Sequence, residues 1–185
     1  MKIIILGAGQ VGRTAAYHLA REEANDVTVV DTNDLLLRDL QDRLDIRTVA
    51  GNAAHPNVLE QAGAAGADMV VALTNSDEVN MVACQVAWTL FRTRTKIARI
   101  RSLEYTKRNE LFFDTDTPPA DGAGFPVDVY ISPEEIVTQY IERLIRYSGA
   151  LQVLEFADGR VRLVGLKDVK GGPMVGQQLR SIREH

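Results

Sequence analysis

The chain opens with an apolar run, Ile3-Ile4-Ile5-Leu6, that breaks directly into Gly7-Ala8-Gly9-Gln10-Val11-Gly12. An unbroken apolar run suits a strand buried on both faces of a parallel sheet. The glycines fall in the order G-x-G-x-x-G, and each has a task. Gly7 permits the tight turn out of the strand. Gly9 lacks the Cβ that would keep backbone away from a pyrophosphate. Gly12 lets the next helix pack against the strand. That helix starts near Gln10, so the N–H groups of Gln10 and Val11, at the positive end of its dipole, face the phosphates.

Three glycines alone are a weak signal, and their surroundings strengthen it. Residues 11–21 read as a helix with Val11, Ala15, Ala16, Leu19 and Ala20 inward. Val27 to Val30 read as a second strand that ends in Asp31, 31 − 12 = 19 residues past the last glycine. A carboxylate there accepts hydrogen bonds from both hydroxyls of an adenine ribose and repels a 2′-phosphate. Ala8 in the turn and Thr32 beside the acid belong to the same expected contact set. Arg38, the nearest downstream base, lies too far along to reverse that preference. A strand–turn–helix that merely needs glycines, with Asp31 as a helix cap, is the plainer alternative. It does not explain why strand, turn, helix, strand and acid fall in this order.

Composition excludes several classes. A net charge of −4 argues against general nucleic-acid binding. The lone cysteine, Cys84, rules out an internal disulfide and fits a reducing compartment. No apolar run approaches bilayer length and no signal peptide precedes the first strand, so the chain reads as soluble and cytoplasmic. No His/Cys/Asp cluster has metal-ligand spacing. His18 and His55 read as ordinary surface or cap residues.

Further along, residues 33–44 form an amphipathic helix with Leu36, Leu37, Leu40 and Leu44 as its stripe. Strands are expected at 46–50, 69–73 and 96–101, with a short helix over 56–62 and a long one over 77–91. The inner face of the long helix is read as Val79, Val82, Ala83, Val86, Ala87 and Leu90. Asn75 or Ser76 caps it, and Asp77 and Glu78 suit its positive end. Alternating strands and helices mean an α/β fold: a Rossmann-like, doubly wound parallel sheet with right-handed crossovers. Ligands of such sheets bind at the carboxyl ends of the strands. The glycine turn, Asp31, Gly51-Asn52, Thr74-Asn75 and the pair Arg99/Arg101 are therefore expected to converge on one crevice. For Thr74 and Asn75, helix capping and ligand contact both remain open. Arg99, nearer the strand's exit, is the better phosphate candidate of the two arginines.

Residues 104–113 read as a helix, and 114–124 as a loop rich in Pro, Gly and Asp, expected to be mobile. A sixth strand follows at 127–131. Ser132-Pro133-Glu134-Glu135 is the clearest helix start in the chain, with the helix running to about Tyr147 and ended by Ser148-Gly149. It is too apolar for a helix solvated all round. Beyond it, 151–156 and 161–166 flank Ala157-Asp158-Gly159-Arg160 as a β-hairpin. Gly171-Gly172-Pro173 is a break, and 174–183 read as a short helix. Residues 150–185 are too few for a core of their own, so the chain reads as a shortened piece with an incomplete second domain.

Met1 to Gly12, Gly51-Asn52-Ala53, Thr74 to Met81 and Ile97 to Arg101 resemble regulator-of-potassium-conductance (RCK) domains, among them the peripheral regulatory subunits of Trk potassium-uptake systems. The resemblance covers 1–112, resumes at Ile131-Ser132-Pro133-Glu134, and continues from Gly149-Ala150-Leu151 to Gly171-Gly172-Pro173. It skips the loop at 114–126. It implies binding of NAD or NADH, with ATP or ADP at the same site, through Gly7, Ala8, Gly9, Gln10, Val11, Gly12, Asp31, Thr32, Asn52, Ala53, Thr74, Asn75 and Arg99. Asn52 stands where many relatives carry Asp, which bears on the adenine end. The resemblance also implies a homodimer or ring beneath an integral-membrane potassium transporter, peripheral on the cytoplasmic face of the inner membrane, and no catalysis. On this reading 1–131 is the nucleotide domain, 132–149 a linking and dimerisation helix, and 150–185 the beginning of a small C-terminal domain. The competing expectation is an NAD-dependent dehydrogenase that lacks its substrate domain. It is weakened by the absence of a placed acid or base after the fifth strand, although Tyr105 and Lys107 come near.

Overall fold

The structure, a computed structural model, describes residues 1–113, 124–147, 150–157, 160–167 and 175. The chain divides into two compact units, Met1–Pro133 and Glu134–His185. Most of the 114–126 loop, the Ser148-Gly149 helix end, the hairpin tip at Asp158-Gly159, the Gly171-Gly172-Pro173 break and the expected 174–183 helix lie outside the described residues.

In the first unit, strands β1 (Lys2–Leu6), β2 (Asp26–Asp31), β3 (Arg47–Ala50), β4 (Met69–Ala72), β5 (Thr95–Arg99) and β6 (Val129–Ile131) form one sheet in the order β3-β2-β1-β4-β5-β6. Every pairing in it is parallel. The two-residue period of a strand explains why β1 is apolar from Ile3 to Leu6: both faces are covered. Ile3 and Ile5 point into a cluster with Val27, Val29, Leu37 and Leu40. Ile4 and Leu6 point into the opposite one, with Leu59, Val70, Ala83 and Cys84. Each of these β1 side chains is almost wholly buried, which contributes about 1.5–3 kcal/mol apiece.

The connecting helices are α1 (Gln10–Leu19), α2 (Asp34–Gln41), α3 (Pro56–Gln61) and α4 (Asp77–Phe91), with a 3-10 turn at Ala64–Gly66. The expected helix over 104–113 is instead two short pieces, α5 (Leu103–Thr106) and α6 (Asn109–Phe112). Two helix faces also differ from expectation. In α1 Gly12 and Ala16 are buried and Ala15, Leu19 and Ala20 pack against the core as expected, but Val11 is 39% exposed. In α4 Ala83 and Ala87 are buried and Val79 and Val86 pack against the core as expected, Asp77, Asn80, Met81 and Cys84 are buried too, and Val82 and Leu90 are exposed. The small Ala83, Cys84 and Ala87 allow close approach to the sheet, and two polar side chains bind the strand ends. Burial pushes the Cys84 thiol up to about 12, so it packs as a small apolar group.

At the amino edge of the sheet Lys96 is fully buried. Its ammonium lies 2.8 Å from Asp128 Oδ2, donates to the carbonyls of Thr93 (3.2 Å) and Arg94 (3.0 Å), and sits 5.0 Å above the Trp88 ring. Arg92, just beyond α4, takes the left-handed conformation (φ 56°) that turns the chain toward this lysine.

The second unit contains α7 (Pro133–Arg146) and an antiparallel hairpin of β7 (Ala150–Phe156) and β8 (Val161–Leu166). None of the α7 residues is buried, and Ile136, Val137, Tyr140, Ile141 and Ile145 are exposed. One hairpin face pairs Glu155 with Arg162, whose guanidinium also donates to the Tyr147 hydroxyl at 2.8 Å. The other carries Leu154 opposite Leu163 and Phe156 opposite Val161, all exposed.

Candidate functional site

The strand order reverses between β1 and β4, since β2 and β3 lie to one side and β5 and β6 to the other. At the carboxyl edge of that switch point is a crevice of about 560 Å³. It is lined by Gly7, Gly9, Gln10, Val11, Asp31, Thr32, Asn52, Ala53, Thr74, Asn75 and Arg99. Thus eleven of the thirteen residues singled out from the sequence converge there. The other two, Ala8 and Gly12, are buried behind the turn. Asn33, Leu36, Leu73 and Val79 also line the crevice and were not anticipated.

The glycines are required for different reasons. Gly7 has φ +104°, and a Cβ on it would meet the Leu73 carbonyl oxygen at 2.9 Å, so the turn packs against the end of β4. A Cβ on Gly12 would lie 1.8 Å from the Gly7 carbonyl oxygen, so α1 can start only if that position is bare. Gly9 is different. Its φ of −66° and ψ of −172° suit any residue, and a Cβ there would have nothing within 4 Å. It faces open space at the start of α1.

Asp31 does more than end β2. One carboxylate oxygen accepts from the Ala8 N–H at 2.6 Å and the other from the Asn33 N–H at 2.7 Å. The acid therefore ties the glycine turn to the β2 exit. A carboxylate offers about four acceptor positions, so two remain to face the crevice. Asn33, not Asp31, caps α2, accepting from Leu35 and Leu36. Asn52 Oδ1 accepts from the Ala54 N–H at 2.9 Å, which leaves its NH₂ as the donor at that end.

On the far side of the switch point Arg99 closes β5 and lines the crevice. Arg101 does not line it. The strand stops at Arg99, so the alternation expected to bring both guanidiniums to one face ends there. Arg101 instead donates to the Asn75 carbonyl and stands 3.5 Å from Asp77 Oδ1. The other Asp77 oxygen accepts from the N–H groups of Arg101 and Ser102, both at 2.8 Å. Ser76 caps α4 by accepting from Val79, while its hydroxyl donates to Glu78 at 2.7 Å. That bond, aided by backbone and by the Tyr105 hydroxyl, holds the Glu78 carboxyl below its usual range. Asp77 and Asn80, the inward polar pair of α4, were missed from the sequence. Their spacing of three residues put them on one helix face, a signal that was available.

No helix among the described residues is long and apolar enough to cross a membrane, and no cluster of metal-ligand side chains is found among them.

A parallel sheet with this strand order, a glycine turn opening α1 and an acid closing β2 define a Rossmann-like α/β domain. Within that class residues 3–113 match the model of the TrkA-N domain family, and the chain belongs to that family. It is similar over its whole length to the Trk system potassium uptake protein TrkA of Halomonas elongata (60% identity) and to that of Vibrio alginolyticus (56%). It spans only 38% and 39% of those curated relatives. Among solved structures, the GsuK channel bound to NAD superposes with a TM-score of 0.57 at 21% identity, covering 85% of this chain and 25% of the channel chain. That likeness concerns the fold.

Proposed function

We propose that this chain is the nucleotide-sensing part of a regulatory subunit that gates a potassium-uptake transporter in the membrane. The observation that carries this reading is Gly9. Neither backbone conformation nor packing within the chain calls for a glycine there. A ligand brought close to the backbone does. The names of the relatives support the potassium system, and the NAD in the GsuK channel structure supports the ligand class.

In this reading NAD or NADH lies across the switch point. The diphosphate sits over Gly9, Gln10 and Val11 at the start of α1, where free N–H groups and the helix dipole favour anions. Asp31 takes the adenine ribose, Asn52 and Ala53 flank the adenine, and Thr74, Asn75 and Arg99 meet whatever extends past the second phosphate. ATP and ADP share the adenosine diphosphate half and bind at the same place. The subunit acts as a homodimer or ring on the cytoplasmic side of an integral-membrane transporter. The exposed apolar residues of α7 suit contact with a second copy. Catalysis is not part of the proposal: among the described residues, the ionisable groups lining the crevice are Asp31 and Arg99, neither arranged as a proton-transfer pair.

Calorimetric titration of the chain with NADH, NADPH, ATP and ADP tests the reading. NADH should bind, NADPH poorly, and Asp31→Ala should weaken NADH by about 1–3 kcal/mol as charge-assisted hydrogen bonds are lost. Equal affinity for NADH and NADPH would sink the role given to Asp31. Steady consumption of NADH with common oxidised metabolites would favour a dehydrogenase instead.

A further inference from the structure

Asn80 is completely buried in the first turn of α4 and touches the crevice nowhere. Its side chain nevertheless spans the two strand ends that form one half of it. Oδ1 accepts from the Thr74 N–H at 3.0 Å and from the Thr74 hydroxyl at 2.7 Å. Nδ2 donates to the Arg99 carbonyl at 2.8 Å and to the Thr74 carbonyl at 3.4 Å. All four hydrogen-bonding positions of the amide are therefore used. Its orientation is dictated by its partners, because an N–H can only donate and a carbonyl can only accept.

The β4–β5 ladder runs as far as the pair Ala72 and Ala98. Beyond it the Asn80 side chain joins Thr74 to the Arg99 carbonyl. A side-chain amide has the same donor and acceptor as a peptide group, so Asn80 bridges the two strand ends past the last register pair. Thr74 and Arg99 both line the crevice, while Asp31 and the glycine turn hold its other half from β1 and β2. A backbone bond from the Leu73 N–H to the Leu6 carbonyl (2.7 Å) joins the halves, but the side chains that brace them differ: Asp31 on one side, Asn80 on the other.

We propose that Asn80 is the positioning residue that sets how far this site favours nucleotides extending past the adenosine monophosphate part over AMP itself. The proposal rests on the nucleotide reading above. AMP needs only the β1–β2 half. NADH and ATP also need Thr74 and Arg99 at a fixed separation, and Asn80 fixes it without touching the ligand. Groups that act through a supporting shell of this kind commonly change affinity by about 10- to 100-fold when that shell is lost.

The test is calorimetric titration of AMP, NADH and ATP into the full chain and into Asn80→Asp. The isosteric carboxylate keeps the acceptor toward Thr74 and replaces the donor toward the Arg99 carbonyl with a second acceptor. AMP affinity should stay within about twofold, as for independent sites. NADH and ATP should weaken by about tenfold or more. An equal loss for all three ligands would mean that Asn80 merely supports the fold, and no loss for any would remove it from the site; either overturns the proposal. A wild-type chain that binds none of the three overturns the nucleotide reading itself, which the wild-type titration reveals separately. Should Asn80→Asp not fold, hydrogen exchange of the Thr74 amide in the wild type decides. Slowing by NADH and ATP but not by AMP supports the proposal, and equal slowing by AMP overturns it.

Discussion

The two edges of the parallel sheet both bury polar groups, but they spend them differently. At the amino edge the Lys96 ammonium has Asp128, two carbonyls and the face of Trp88, so its donors are used within the chain. At the carboxyl edge Asp31 accepts two backbone N–H groups and keeps acceptor positions toward an open crevice. The same contrast separates Gly12, which packs against the Gly7 carbonyl, from Gly9, which packs against nothing. A buried ionisable group is therefore not by itself a sign of function. Unspent hydrogen-bonding capacity facing open space is the better sign.

Four substitutions test that contrast, beginning with the one that strains it most. Gly12→Ala lies at the carboxyl edge yet should cost stability, about 3 kcal/mol or more in urea unfolding. Its Cβ would stand 1.8 Å from a backbone oxygen, and neither the turn nor α1 can yield without the other. Gly9→Val should do the reverse. Stability should change by less than about 1 kcal/mol, because valine is only a poorer helix cap there. NADH affinity should fall at least about a hundredfold, roughly 2.7 kcal/mol by calorimetry. A Gly9→Val chain that binds normally would place the nucleotide elsewhere.

Asp128→Ala should lower stability by about 2 kcal/mol, less than for a wholly buried pair because the Asp128 side chain is 37% exposed. Its NADH affinity should match the wild type; a change would show that the two edges communicate. The smallest effect is expected for Ser76→Ala. This removes the cap of α4 at about 1 kcal/mol and should leave affinity within about twofold, since that hydroxyl is already spent on Val79 and Glu78.

The parts of the molecule legible in the sequence were those set by local rules. The β1 run, the glycine turn and the acid after β2 follow from strand period and turn sterics, and each stands where the spacing put it. Less was legible where a polar group overrode a pattern. The α4 face predicted from its valines, alanines and leucine holds at Val79, Ala83, Val86 and Ala87, but Asp77 and Asn80 also turn inward, where they bind the Arg101 and Ser102 amides and the Arg99 carbonyl. Strand alternation carried past Arg99 predicts Arg101 in the crevice, but β5 stops two residues short of it. The length of that strand depends on where the β5–β6 pairing ends, Arg99 with Ile131, which no local window contains.

The bond from the Ala8 N–H to Asp31 has a consequence for redesign. The usual route to a phosphorylated cofactor would exchange this acid for a neutral or basic residue. Here that exchange would also cut the brace that keeps the glycine turn against β2, so selectivity and rigidity share one side chain. A protein engineer who wants NADPH to bind should keep a short acceptor at position 31, such as asparagine. The positive charge is better introduced at Thr32, which is exposed and lines the same crevice.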